Sequence, residues 1–170
     1  MSYQVKIPGC IYAGDGSIEK IKEVIAKENF KKAVIFTDQG IIANGLLKLL
    51  TDQLDQCEGL KYDVISDITP EPSWQVVDNV AKELGDRECD LIIGIGGGAA
   101  MDAAKIIWIM YEHPEADFED LAMRFCDIRK RIYTFPKMNQ KAMMVAIPTS
   151  SGTGSEVTPF TIIKDEVKLV

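Results

Sequence analysis

The chain predicts an α/β fold: a parallel sheet with helices on both of its faces. Three observations carry this reading. Short strand-like stretches at 33–36, 61–66, 90–95 and 143–147 alternate with stretches of helical periodicity, the pattern of βαβ units. Loops rich in Gly, Ser, Thr, Asp or Pro follow each run, at 37–40, 69–73, 94–99 and 148–155. Right-handed crossovers place the C-terminal ends of parallel strands on one sheet edge, so these four loops are expected to converge there. One of them holds three consecutive glycines, Gly96-Gly97-Gly98, between a strand and a helix start.

Each element has its own local reason. Residues 5–7 and 10–12 read as short opening strands around Pro8-Gly9. Ser17, after a Gly-Asp-Gly turn, is placed to cap a helix on which Ile18, Ile21, Val24 and Ile25 share a face. Residues 33–36 form a buried strand. The stretch 41–54 reads as one helix with Leu46, Leu47, Leu50 and Leu54 on one side. Residues 61–66 are strand, Thr69-Pro70-Glu71-Pro72 is a rigid loop, and Ser73 opens a helix carrying Val76, Val77, Val80 and Leu84. Strand 90–95 leads into a helix from Gly98 to about Met110, stopped by His113-Pro114. Residues 115–142 are polar and irregular, with a short helix expected at 118–125. Strand 143–147, a glycine/hydroxyl loop and a last strand at 160–163 complete the order.

Composition narrows the function. The 170 residues suit one domain, and 46% apolar with 26% charged residues is ordinary for a soluble globular chain. A net charge of −7 opposes a nucleic-acid surface, and Arg129-Lys130-Arg131 is too short to overturn this. No apolar stretch approaches the roughly 18 residues of a membrane span, and the first residues lack a signal-peptide core. Cys10, Cys57, Cys89 and Cys126 are far apart and form no C-x-x-C pair, which reads as reduced thiols in a cytoplasmic protein. His113 is the one histidine. It cannot build a zinc or iron site alone, so neither catalytic nor metal-ligating residues are expected in this chain.

The loops carry the chemistry. Three glycines leave no Cβ between the backbone and whatever lies above the turn. Their N–H groups and the positive end of the following helix suit a phosphate or pyrophosphate. Gly94-x-Gly96-x-x-Ala99 fits the dinucleotide fingerprint formally, but that fingerprint expects the first βα unit and an acid about 20 residues on. Here Glu115, Asp117 and Glu119 lie in a polar segment. The standard assignment is therefore set aside and the phosphate-binding physics kept; the alternative is a tight turn without a ligand. Asp38, just past a strand, either accepts from adenosine ribose hydroxyls, favouring NAD over NADP by repelling a 2′-phosphate, or caps the next helix. Thr149, Ser150, Ser151, Thr153 and Ser155, spaced by Gly152 and Gly154, offer uncharged donors for a diphosphate or a carboxamide, or form a plain polar turn. Asp102 would repel a pyrophosphate. It is expected to point away, toward backbone N–H groups or a nicotinamide amide, with Lys105 one turn further on.

Two long segments resemble those of the iron-containing (group III) alcohol dehydrogenases. Gly96-Gly97-Gly98-Ala99-Ala100-Met101-Asp102-Ala103-Ala104-Lys105 is similar to that family's G-G-G-S-x-x-D-x-A-K motif. Ala146-Ile147-Pro148-Thr149-Ser150-Ser151-Gly152-Thr153-Gly154-Ser155-Glu156-Val157-Thr158 is similar to its I-P-T-T-x-G-T-G-S-E-V-T segment. Thr37-Asp38-x-Gly40 and Pro70-Glu71-Pro72-Ser73 follow in the matching order. The resemblance implies a Rossmann-like domain of the dehydroquinate synthase type over residues 1–170. It implies an NAD-dependent enzyme that moves hydride between an alcohol and the nicotinamide, with iron or zinc polarising the substrate oxygen. Asp38 would match the ribose contact. Gly96, Gly97, Gly98 and Ala99 would match the pyrophosphate turn, and Thr149, Ser150 and Thr153 the second phosphate and nicotinamide loop, with Asp102 beside them. Ala99 stands where the family commonly has Ser, so one hydroxyl contact is lost while the backbone donors remain.

The metal ligands of that family lie in a C-terminal helical domain, so this chain reads as the cofactor part without the metal part, and as inactive alone. A stand-alone nucleotide-binding module and a glycerol-dehydrogenase-like relative are the alternatives. An alcohol or aldehyde is the implied substrate, and a homodimer or self-association is expected. The latter draws on Phe160, Ile162, Ile163, Val167, Leu169 and Val170, which would need cover.

Overall fold

A computed structural model describes residues 9–69, 73–85, 87–116, 136–159 and 161–164. A single 3₁₀ turn, Ser17–Lys20, leads into α1 (Ile21–Glu28). Then follow β1 (Lys32–Phe36), α2 (Gln39–Ala43), α3 (Leu46–Leu54), β2 (Lys61–Ile65), α4 (Trp74–Gly85), β3 (Leu91–Gly96), α5 (Gly98–Glu112) and β4 (Met143–Pro148). The four strands form one sheet in the order β2-β1-β3-β4, and every pairing is parallel.

The two inner strands are almost continuous apolar runs because both of their faces are covered. Every residue of β3 is buried, and so are Ala33 to Phe36 of β1. Side chains alternate between two cores. Ala33, Ile35, Leu91, Ile93 and Ile95 pack with Ile21 and Ile25 of α1 and with Leu50 and Leu54 of α3. Val34, Phe36 and Ile92 pack with Val77 and Leu84 of α4 and with Ala103, Ala104 and Ile107 of α5. The predicted three-layer α/β architecture is what the chain adopts. Helix α5 lies close on β3 because Gly94 faces it without a side chain; a Cβ there would sit 3.0 Å from the Cβ of Ala104.

Several local expectations are corrected. Residues 10–12 form no strand; Ile11 and Tyr12 are exposed, and residues 5–7, the proposed partner, lie outside the described residues. Ser17 does not cap: Gly16, at φ 73°, takes the N-cap position with no side-chain bond. The helix expected over 41–54 is two helices, broken at Asn44-Gly45. Gly45 adopts φ 74°, a left-handed conformation that glycine reaches without strain. Residues 161–163 make no ladder; a lone parallel bridge joins Ser73 to Lys164. The N–H of Ile162 is given to Asp102 Oδ2 at 2.9 Å instead of to a strand. The helix expected at 118–125, and Phe160 and residues 165–170 of the apolar tail, lie outside the described residues, whereas Ile162 is 82% exposed.

The base of the long connection between α5 and β4 is tied together. The Glu112 carboxylate is buried and accepts N–H bonds from Gln140, Lys141 and Ala142, all at 2.9 Å. Trp108 Nε1 donates to Ala142 O at 2.8 Å, and Lys141 Nζ donates to Tyr111 O at 3.0 Å. Cys10, Cys57 and Cys89 are free thiols, and Cys126 lies outside the described residues. No described helix is long and apolar enough to cross a membrane.

Candidate functional site

Sheet order decides where a ligand can sit. From β1 the chain moves outward to β2, then crosses back to place β3 on the other side of β1. The connections at the ends of β1 and β3 therefore leave in opposite directions, and a crevice opens between them at the C-terminal edge. Its walls are Thr37-Asp38 after β1 and Gly96-Gly97-Gly98 after β3.

On the β1 side, Thr37 continues the strand by one bond, its N–H donating to Ile65 O at 3.0 Å. Asp38 then turns the chain. It is the N-cap of α2, with Oδ1 accepting the Ile41 N–H at 3.0 Å. The other carboxylate oxygen, Oδ2, lies toward Gly96: a Cβ on that glycine would be 3.4 Å from it. The two readings of Asp38 are thus compatible, because one oxygen caps the helix while the other looks across the crevice.

On the β3 side, Gly96 has φ 153°, and a Cβ on it would also come within 2.7 Å of the Ala100 Cβ. Gly97 is the N-cap of α5, in extended conformation, and makes no side-chain cap bond. The first N–H groups of this 15-residue helix are therefore not consumed by a capping side chain, and the helix dipole adds positive potential at the same point. Gly98 and Ala99, which open the helix, are partly exposed.

The second loop lies against the first. Thr149 N–H donates to Gly96 O at 2.9 Å, fixing the two turns to each other. A Cβ on Gly97 would lie 3.5 Å from Ser150 Oγ, and one on Gly98 would lie 3.2 Å from Ser155 Oγ and 3.3 Å from Thr153 Cβ. Thr149, Ser150 and Thr153 are exposed, so their hydroxyls are open to a ligand, whereas Ser155 is buried and packs the loop down. Thr153 Oγ1 accepts the Ser155 N–H at 3.3 Å. The structure thus brings Asp38, Gly96, Gly97, Gly98, Ala99, Thr149, Ser150 and Thr153 to one edge.

Asp102 plays a different part. It is buried, with Oδ2 taking the Ile162 N–H and Oδ1 2.9 Å from Lys105 Nζ. Lys105 also donates to Thr158 O at 3.3 Å. The pair braces α5 against the segment that follows the hydroxyl loop. Gly40, which the sequence offers only as a spacing in Thr37-Asp38-x-Gly40, borders the Asp38 carboxylate and belongs to the site as well.

No three His, Cys, Asp or Glu side chains converge on a possible metal site among the described residues. His113 sits at the far end of α5, about 20 Å from the glycine turn at helical rise. Its Nδ1 is 2.9 Å from Glu115 Oε1 and its Nε2 is 3.0 Å from Lys137 O. Those two contacts raise its pKa, the Lys137 carbonyl more than the Glu115 carboxylate.

The chain matches a sequence family over nearly its whole length. A profile described as iron-containing alcohol dehydrogenase matches residues 8–169. The chain belongs to that family. It is 45% identical over 161 residues to the bifunctional aldehyde-alcohol dehydrogenase AdhE of Escherichia coli, covering 95% of this chain and 18% of that protein. With the NADPH-dependent butanol dehydrogenase of Clostridium saccharobutylicum it shares 36% identity, over 94% of this chain and 38% of the relative. The fold superposes on the crystal structure of NADH-dependent butanol dehydrogenase A from Thermotoga maritima with a TM-score of 0.78 at 25% identity, covering 98% of this chain and 39% of the other. The chain therefore spans well under half the length of these iron-containing alcohol dehydrogenases.

Proposed function

We propose that this chain is the NAD-binding part of an alcohol dehydrogenase, acting with an alcohol or aldehyde as its small-molecule substrate. The observation that carries the reading is the meeting of the glycine turn and the hydroxyl loop beside Asp38, at the crevice between β1 and β3. Gly97 and Gly98 let the hydroxyl loop come close, a Cβ on them lying 3.5 Å from Ser150 Oγ and 3.3 Å from Thr153 Cβ, which sets helix-start N–H groups beside hydroxyls as a pyrophosphate site requires. The uncapped start of α5 supplies N–H donors and a favourable potential for that anion. Thr149, Ser150 and Thr153 supply neutral donors and acceptors on the opposite wall. NAD, when bound, supplies the hydride acceptor or donor.

The contribution of this chain is to hold and orient that cofactor. Among the described residues no cluster of His, Cys, Asp or Glu could hold the family's iron, and the resemblance implies that the iron is held by residues other than these. Reduced, separate cysteines go with a cytoplasmic location.

Asp38 sets the coenzyme. Its free oxygen suits a ribose 2′-hydroxyl and opposes a 2′-phosphate, whose negative charge would be held within a few ångströms. The relatives include both an NADPH-dependent and an NADH-dependent butanol dehydrogenase, so the choice rests on local residues and not on the fold. Calorimetric titration with NAD⁺ and NADP⁺ tests the reading. NAD⁺ should bind the more tightly, and Asp38→Gly should shrink the preference by about tenfold, the worth of one charge contact near a surface. Equal or reversed affinities in the unaltered chain would remove Asp38 from this role.

A further inference from the structure

We propose that Gly40 is a specificity-determining position: with Gly96 it forms a slot, open only because neither residue carries a Cβ, that fixes the Asp38 carboxylate in its discriminating orientation. The inference rests on the cofactor reading above and assigns a role to a residue that touches no cofactor itself. Three distances define the slot. Asp38 Oδ1 is tied to the Ile41 N–H at 3.0 Å. A Cβ on Gly40 would lie 2.9 Å from that same oxygen, inside ordinary van der Waals contact. A Cβ on Gly96 would lie 3.4 Å from Oδ2. The carboxylate is therefore bracketed, one oxygen against each glycine.

The consequences of filling the two sides differ. Gly96 cannot accept a side chain without strain, since its φ is 153° and the Ala100 Cβ is in the way. Gly40 lies within α2, where alanine is the better helix former. Among the described residues, what a Cβ on Gly40 would meet is the end of the Asp38 side chain. Relief comes by rotation of Asp38, which gives up the Ile41 N–H and takes the charge out of its position opposite Gly96. A purely structural role for Gly40 would leave alanine tolerated and the coenzyme ratio untouched.

The test is a double-mutant cycle on the full chain, with NAD⁺ and NADP⁺ titrated by calorimetry and melting followed in parallel. Gly40→Ala should melt within a few degrees of the unaltered chain, the helix-forming gain of alanine offsetting the lost cap bond. Its preference for NAD⁺ should fall by about threefold to tenfold, the range of coupling between groups in contact, mainly through weaker NAD⁺ binding. Gly40→Ser, whose Cβ occupies the same place, should repeat the result. In an Asp38→Gly background, Gly40→Ala should change the ratio no further. An unchanged ratio in both Gly40 variants, or an equal change with and without Asp38, would overturn the slot. Absence of any NAD⁺ preference in the unaltered chain would instead overturn the cofactor reading on which it stands.

Discussion

At the scale of single residues, Glu112 shows how a buried charge becomes a structural tie. Burial by itself pushes its carboxyl pKa up, but the three backbone N–H groups of residues 140–142 more than offset this, so the group titrates below the usual carboxylate value. A depressed folded-state pKa means that the ionised group contributes stability above the unfolded value, and that this contribution is lost as pH falls through the folded value. Glu112→Gln should therefore cost about 2 kcal/mol at pH 7, the worth of exchanging charge-assisted bonds for neutral ones. The deficit should close as the pH drops below the ordinary carboxylate range. Urea denaturation of both proteins over a pH series measures it; a deficit that stayed constant down to acid pH would mean that the charge contributes nothing. His113, whose pKa is raised, has the opposite sign: its contribution is present below the unfolded value and fades as pH rises through the folded one.

At the scale of elements, β3 and its turn are the least tolerant part of the chain. Gly96→Ala meets a positive φ and a 2.7 Å approach to Ala100. It should destabilise by about 2–4 kcal/mol, combining backbone strain with overpacking, read as a drop in the denaturation midpoint. Strands β1, β3 and β4 were legible in the sequence because each is a short, mostly apolar run closed by a turn, and β2 because its Tyr, Val and Ile sit between turns; the loops of the candidate site were legible because glycine and hydroxyl residues concentrate in them. The helix break at Asn44-Gly45 was masked because the leucine periodicity runs on through α3; the Asn-Gly pair, a turn signal, is the mark that could have found it. The strand expected at 160–163 failed for a reason that no local pattern contains: Asp102, some 60 positions away, takes the Ile162 N–H. Asp38 could be placed at a strand end, yet the division of labour between its two oxygens depends on glycines at 40 and 96, which only the fold brings together.

At the scale of the molecule, the candidate site is built on the best-buried part of the sheet. Strands β1 and β3 are central and covered on both faces, whereas β2 is an edge strand with most of its residues exposed. Hydrogen exchange should follow that order, with the amides of β1 and β3 protected longest and those of β2 released first. Comparable exchange in all strands would indicate a single cooperative unit and not a graded one. The tie at Glu112 has a consequence of another kind. It joins positions 28 apart in the chain, and closure entropy rises only with the logarithm of length, so doubling that span would cost about 0.6 kcal/mol. Closure entropy thus hardly constrains the length of the connection between α5 and β4 while Glu112 holds its base. Glu112 thereby anchors the start of β4, the strand that leads into the hydroxyl loop, at a closure cost that depends only weakly on how many residues lie between.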